Sequence, residues 1–225
     1  MESVAPRTNH PYYPRDLVLD HYVANTNSVL KTLSHVFVAF TTIVLLTVAL
    51  AYRKRHSTLT GRVDQLTFFW FILCGLIHIM FEGYFGIYHA TLAGDQSTVA
   101  QAWKEYALSD SRYLSSDTFV LVTERITSLV WGPLALYSAW SLYHGLPLRH
   151  IAQLMLSLGH IYGCLLYYWT SIFEGSPQCD PHPYYYYFYF WFFNIAWMIA
   201  PVFLMRSSIR TLRRAMALVE QTQRN

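Results

Sequence analysis

The chain has 225 residues, 54% of them hydrophobic, 17% aromatic and only 13% charged, with a formal net charge of +3. A soluble domain carries about 25% charged residues, so this chain is short of water-facing surface and reads as a membrane protein. The few bases sit in clusters, which fits anchoring beside a membrane and argues against nucleic-acid binding.

In chain order, residues 1–31 carry Pro6, Arg7, His10, Pro11, Pro14, Arg15, Asp16 and Asp20, which do not make the apolar core of a signal peptide. Five apolar stretches follow, each reaching the roughly 20 residues a helix needs to cross a bilayer. They run over 33–52, 66–89, 118–143, 151–173 and 184–205. The runs are continuously apolar rather than alternating, which excludes a β-barrel. The expectation is an all-α, polytopic bundle of five transmembrane helices with an intramembrane cavity, one domain over 1–225. The tail 206–225 is basic and cytosolic, and 206–221 is expected as an amphipathic helix on the membrane surface.

Orientation follows from the loops. Arg53, Lys54, Arg55 and Arg62 lie in the first connection, Arg149 in the third, and Arg206, Arg210, Arg213, Arg214 and Arg224 in the tail. In the second connection Lys104 and Arg112 are outnumbered by Asp95, Glu105, Asp110 and Asp117, and the fourth has only Glu174 and Asp180. The positive-inside rule then puts the C-terminus in the cytosol and the N-terminus opposite, with Arg7, Arg15 and Lys31 the weakest fit.

The second span carries His78 and Glu82, four apart and one helical turn apart on one face. The third carries Glu124, Thr127 and Trp131 on a shared face, and the fifth Asn194 and Trp197. Ionisable groups inside a membrane cost a few kcal/mol each on insertion scales and turn toward a bundle interior. A single intramembrane His or Asn is more often interhelical glue, whereas two glutamates favour function. Arg125, beside Glu124, either neutralises it or points elsewhere, since adjacent helical residues diverge by about 100°. The run 184–193 reads as an interfacial aromatic belt merging into a helix wall.

Cys74 and Cys164 lie in apolar runs and Cys179 in a loop, with no CxxC or zinc spacing, so neither a disulfide framework nor a metal is expected. His78, Glu82 and Glu124 as a metal site is a weaker reading than proton chemistry. No P-loop, GxSxG or dinucleotide motif is present, and no cofactor is expected. What remains is proton chemistry on an apolar substrate. A carboxylic acid in apolar surroundings can donate a proton, and a second carboxylate with an aromatic face can stabilise the cation that forms.

Motifs along nearly the whole chain resemble the emopamil-binding protein family, the 3β-hydroxysteroid Δ8,Δ7-isomerases. They are His10-Pro11-Tyr12-Tyr13-Pro14, Leu19-Asp20, Cys74-Gly75-Leu76-Ile77-His78 with Glu82-Gly83, and Trp103-Lys104-Glu105-Tyr106-Ala107. They continue with Asp110-Ser111-Arg112-Tyr113, Glu124, Ile126-Thr127, Trp131-Gly132-Pro133-Leu134, Pro147-Leu148-Arg149, Ile161-Tyr162-Gly163, Asn194 and Ala196-Trp197. The resemblance implies five helices in the membrane of the endoplasmic reticulum and nuclear envelope, with a tendency to dimerise. It implies cofactor-free migration of a sterol ring double bond by protonation, carbocation and deprotonation, and inhibition by cationic amphiphilic amines. It makes His78 and Glu82 the proton-handling pair, Glu124 and Trp197 the groups that hold positive charge, and Thr127 and Asn194 polar residues needed for activity. Tyr106, Asp110 and Arg112 match a loop linked to activity, which they either serve or simply order; Trp131 and Tyr162 join them as candidate substrate-binding residues.

Three departures bear on the pocket. Arg125 stands where a small polar residue is familiar, His160 and Cys164 where Gln and Asp are, and Tyr84 where Trp is. Two other readings stay open at this level. One is an isomerase or cyclase of another polycyclic terpenoid; the other is a non-catalytic sterol- or amine-binding protein of the same fold.

Overall fold

A computed structural model describes residues 10–53, 59 and 61–224. Lys54 and Arg55 of the first connection, and Pro6 and Arg7 near the N-terminus, lie outside the described residues. The described residues are helical or irregular, with no strand. Six helices are numbered in chain order: α1 Val29–Arg53, α2 Arg62–Tyr88, α3 Thr98–Tyr106, α4 Thr118–His144, α5 Arg149–Phe173 and α6 Tyr184–Arg224. All but α3 are long and apolar enough to cross a membrane.

Polar side chains set the starts. Ser28 Oγ accepts from the Lys31 amide at the head of α1, Ser97 Oγ from Ala100 at the head of α3, and Asp117 Oδ1 from Val120 at the head of α4. Each satisfies an amide that has no partner within the helix. Outside the bundle Leu129, Phe173 and Phe203 are largely exposed, as lipid-facing residues must be.

Two apolar clusters hold the bundle. One joins Phe68, Phe71, Ile72 and Cys74 of α2 to Ala135, Ala139 and Leu142 of α4 and Leu156 of α5. The other gathers Phe85, Trp103, Tyr113, Tyr167, Tyr168 and Phe190 at the opposite end. That end is closed by α3 and by the chain ahead of α1. Tyr12 Oη donates to the Lys104 carbonyl at 3.1 Å, Lys104 Nζ to the Val23 carbonyl at 2.9 Å, and Asn25 Nδ2 to the Gln101 carbonyl at 2.9 Å. Burial lowers the Lys104 ammonium from its ordinary range, and Val23 supplies the acceptor that keeps it bonded. The stretch between the second and third spans, expected as a loop, is thus partly helical and forms a cap.

The C-terminal segment differs from expectation. Residues 206–224 continue α6 without a break instead of forming a separate surface helix. At about 1.5 Å per residue α6 is roughly 60 Å long, about twice a hydrocarbon core, so its end projects beyond any bilayer it spans. Arg206, Arg210, Arg213 and Arg214 stand exposed on that projection.

Candidate active site

Three of the spanning helices loosen into π-helical turns at the residues that carry polar groups. The turns are Ile77–Glu82 in α2, Thr127–Trp131 in α4 and Tyr184–Phe192 in α6, just ahead of Asn194. A π turn shifts the backbone bonding from i→i+4 to i→i+5, and such turns concentrate at functional sites. The Phe81 carbonyl, inside the first of these turns, accepts the indole N–H of Trp103 at 3.0 Å. That bond ties the cap to the turn bearing His78 and Glu82.

Between α1, α2, α3 and α6, with Tyr113 and Glu124 behind them, lies a cavity of about 640 Å³. Pockets for small apolar ligands run from roughly 300 to 1,000 Å³. Its wall is mostly aromatic and aliphatic, including Phe37, Phe40, Phe81, Trp103, Phe193 and Trp197. Glu82, Glu124, Asn194 and Tyr106 supply the polar groups. The carboxyls, carboxamide and indole of α2, α4 and α6 thus meet at one space, while the His78 imidazole and the Thr127 hydroxyl do not line it.

Each carboxyl is held by a neighbouring side chain. Glu82 Oε2 meets His78 Nδ1 at 2.8 Å, and His78 itself is 2% exposed and absent from the wall. Glu124 Oε1 accepts from Tyr113 Oη at 2.7 Å. Glu82 and Glu124 both line this cavity. Trp197 lies on the wall, its ring centroid 6.4 Å from that of His78. Asn194 Nδ2 donates to Tyr106 Oη at 2.9 Å, joining α6 to the cap, and to the Phe190 carbonyl at 2.8 Å.

The remaining predicted residues are placed elsewhere. The Thr127 hydroxyl bonds back to the Thr123 carbonyl at 2.8 Å. Trp131 packs on Gly159, where an added Cβ would stand 2.7 Å from the indole ring, so only glycine lets α5 come this near. Asp110 and Arg112 form a buried two-pronged ion pair, with Arg112 Nη2 2.7 Å from Asp110 Oδ2, and Arg112 Nη1 donates to Thr170 Oγ1. Tyr162 is 61% exposed on the outside of α5. The structure brings none of these five to the cavity wall. Arg125 is exposed and its Nε donates to the Gly86 carbonyl at 3.0 Å, so its charge does not enter the cavity.

Two residues outside the predicted set belong to the site. Tyr113 was visible only as part of a motif; nothing in its spacing says that it reaches Glu124, eleven residues on. His160 carried a signal, being an imidazole inside a span. Its Nε2 lies 2.9 Å from His78 Nε2, which extends the pair to a chain Glu82–His78–His160. Donor atoms of Cys74, His78 and His160 all fall within 4.8 Å of one another. That closeness is used differently from a metal cage. Two nitrogens on one tetrahedral ion at about 2.0–2.1 Å would stand farther apart than the 2.9 Å seen here, which is a hydrogen-bond distance.

Comparison with known proteins adds what the geometry cannot. The family model described as EXPERA (EXPanded EBP superfamily) matches residues 98–208. The chain is 38% identical over 202 residues to the 3-beta-hydroxysteroid-Delta(8),Delta(7)-isomerase of Cavia porcellus, covering 89% of this chain and 88% of the relative. It is 37% identical over 212 residues to the protein of that name from Mus musculus, covering 94% and 92%. It is 34% identical over 170 residues to a protoglabretal synthase of Ailanthus altissima, covering 75% and 76%. The fold and site define an integral membrane protein with an acid-lined apolar cavity. The chain belongs to the EXPERA family, the expanded EBP superfamily.

Proposed function

We propose that this protein is a sterol isomerase that moves the ring double bond from the 8 to the 7 position in sterol biosynthesis. The observation that carries the reading is a pair of carboxyls, one bonded to His78 and the other to Tyr113, on the wall of one largely apolar cavity. Relatives of similar length bear the name of that isomerase, which supports it. Glu82 reaches the cavity and His78 does not, so Glu82 delivers the proton to the alkene carbon while His78 acts through it. The alkene electron pair forms the new C–H bond and leaves a carbocation. Glu124, braced by Tyr113, and the Trp197 face hold that charge, and the Glu124 carboxylate then takes a proton from the neighbouring carbon, whose C–H electron pair makes the new double bond. Asn194 and Tyr106 set the roof against which the ring system lies. The same Glu124 and Trp197 pair suits the ammonium of a cationic amphiphilic amine. We further propose residence in the endoplasmic reticulum membrane with the arginine-rich end of α6 in the cytosol.

Membranes bearing the protein, given an 8-ene sterol in deuterated water, are expected to yield the 7-ene sterol with one deuteron gained. Glu82→Gln and Glu124→Gln are each expected to lower the rate by about 100-fold or more. Full activity in the double variant would overturn the mechanism, and no conversion by the wild type would overturn the reading. The protoglabretal synthase relative favours one alternative, a carbocation isomerase or cyclase acting on another polycyclic terpenoid. Turnover of a tetracyclic triterpenoid with the 8-ene sterol untouched would select it.

A further inference from the structure

A double-bond shift through a carbocation consumes one proton and releases another at a different carbon. The donor must therefore be recharged before each turnover, in a cavity whose wall is almost entirely apolar. Behind Glu82 the hydrogen-bonded chain runs away from that cavity, through His78 to His160 on α5.

His160 does not end the polar run. Ser157 and Gln153 precede it by three and seven residues, which at helical spacing puts all three on one face of α5. All three are buried, at 5% exposure for His160 and 1% each for Ser157 and Gln153. Each keeps a polar atom without a partner among the described residues: His160 Nδ1, Ser157 Oγ and Gln153 Oε1. Ser208 Oγ on α6 is a fourth, buried to 0% exposure. Gln153 Nε2 donates to the Leu204 carbonyl at 2.8 Å, and Ser208 is one turn beyond Leu204, so these groups share the α5–α6 seam. Unbonded polar atoms so deep in a bundle are costly, and water is their usual partner. The seam leads to the head of α5, where Arg149 pairs with Asp64 at 2.9 Å and His150 follows. Cys74 lies beside His78 and His160 at the inner end.

We propose that His160, continued by Ser157 and Gln153, forms a proton-return path that recharges Glu82 through His78 from the membrane face bearing Arg149. The path rests on the isomerase reading above. Its step moves one proton and no electrons. His78 gives its Nδ1 proton to Glu82 Oε2 and takes a proton at Nε2 from His160 Nε2. His160 takes one at Nδ1 from the Ser157 side. Both imidazoles stay neutral and exchange tautomers, and a flip of each ring restores them before the next delivery. A glutamine at position 160, familiar in the family the sequence resembles, can hold the His78 ring but cannot pass the proton in this way. His160 is then a positioning and relay residue that never touches the substrate.

The test uses the full chain in liposomes, an 8-ene sterol, and matched light and heavy water. His160→Gln keeps a donor for His78 Nε2, so a purely structural role leaves its rates at wild-type values. The relay predicts a kcat about tenfold lower with KM within about twofold, and a larger solvent isotope effect on kcat. Ser157→Ala is expected to lower kcat in the same sense by less. Should His160→Gln fail to fold, judged by loss of an amine-induced thermal shift, Ser157→Ala alone decides: slowed turnover supports the path and wild-type turnover overturns it. A wild type that converts sterol while the variants match it in kcat and isotope effect overturns the path and leaves the isomerase reading intact. A wild type that converts nothing overturns both.

Discussion

At the scale of single residues, the two glutamates differ in what stands behind them. Glu82 is backed by an imidazole, which can pass a proton either way. Glu124 is backed by a phenol that donates to it at 2.7 Å, an arrangement that suits a carboxylate facing a cation. Tyr113→Phe removes that one hydroxyl and keeps the ring packed among Phe85, Trp103 and Tyr106. A hydrogen bond to a charged group is worth about 1.5–3 kcal/mol, so turnover and affinity for a cationic amine should each fall roughly 10- to 100-fold. Steady-state kinetics and amine titration would show it, and unchanged values for both would remove Tyr113 from the site. Arg125, which the sequence sets beside Glu124, is neutral in this respect because its side chain turns to the Gly86 carbonyl.

At the scale of elements, the site depends on how closely α2 and α4 approach. Gly132 lies at the end of the π turn of α4, and a Cβ there would stand 2.6 Å from Ile79 Cγ1 and 3.2 Å from His78 Cβ. Overpacking of this kind costs about 1–3 kcal/mol. Gly132→Ala should therefore lower the melting temperature in detergent and shift His78 away from Glu82. Turnover per folded molecule is expected to drop several-fold, beyond what the loss of stability accounts for. A variant that melts lower yet turns over normally would show that the α2–α4 distance is not critical to the proton-handling pair.

At the scale of the whole molecule, the cap and the bundle divide the labour. The Asp110–Arg112 pair lies under the cap, buried and not on the cavity wall, with Arg112 5.0 Å from the Tyr167 ring centroid. Breaking one partner of a buried pair typically costs about 3–5 kcal/mol. Asp110→Asn should lose most of its folded yield, while the fraction that folds turns over at a rate close to wild type. Size-exclusion profiles with kinetics normalised to folded protein would separate the two effects. A well-folded, inactive Asp110→Asn would give the pair a direct role in the chemistry.

Five spans, their approximate limits and the presence of acids within them were legible along the chain. Lipid accepts a continuous apolar helix, and it admits a carboxyl only where a cavity or a partner receives it. Local spacing also joined His78 to Glu82 and Asn194 to Trp197, because neighbours on one helix face need no tertiary information. Contacts across helices were a different matter. That Tyr113 braces Glu124, that His160 meets His78 eighty-two residues away, and that Tyr162 faces outward depend on helix rotation and separation. Those are set by small residues such as Gly132 and Gly159 and by π turns that re-aim side chains, effects no one-dimensional periodicity carries. By itself the sequence determined a membrane bundle with acids inside it. Only the tertiary structure decided which acid meets which partner, because that choice is made where helices pack and not along any one of them.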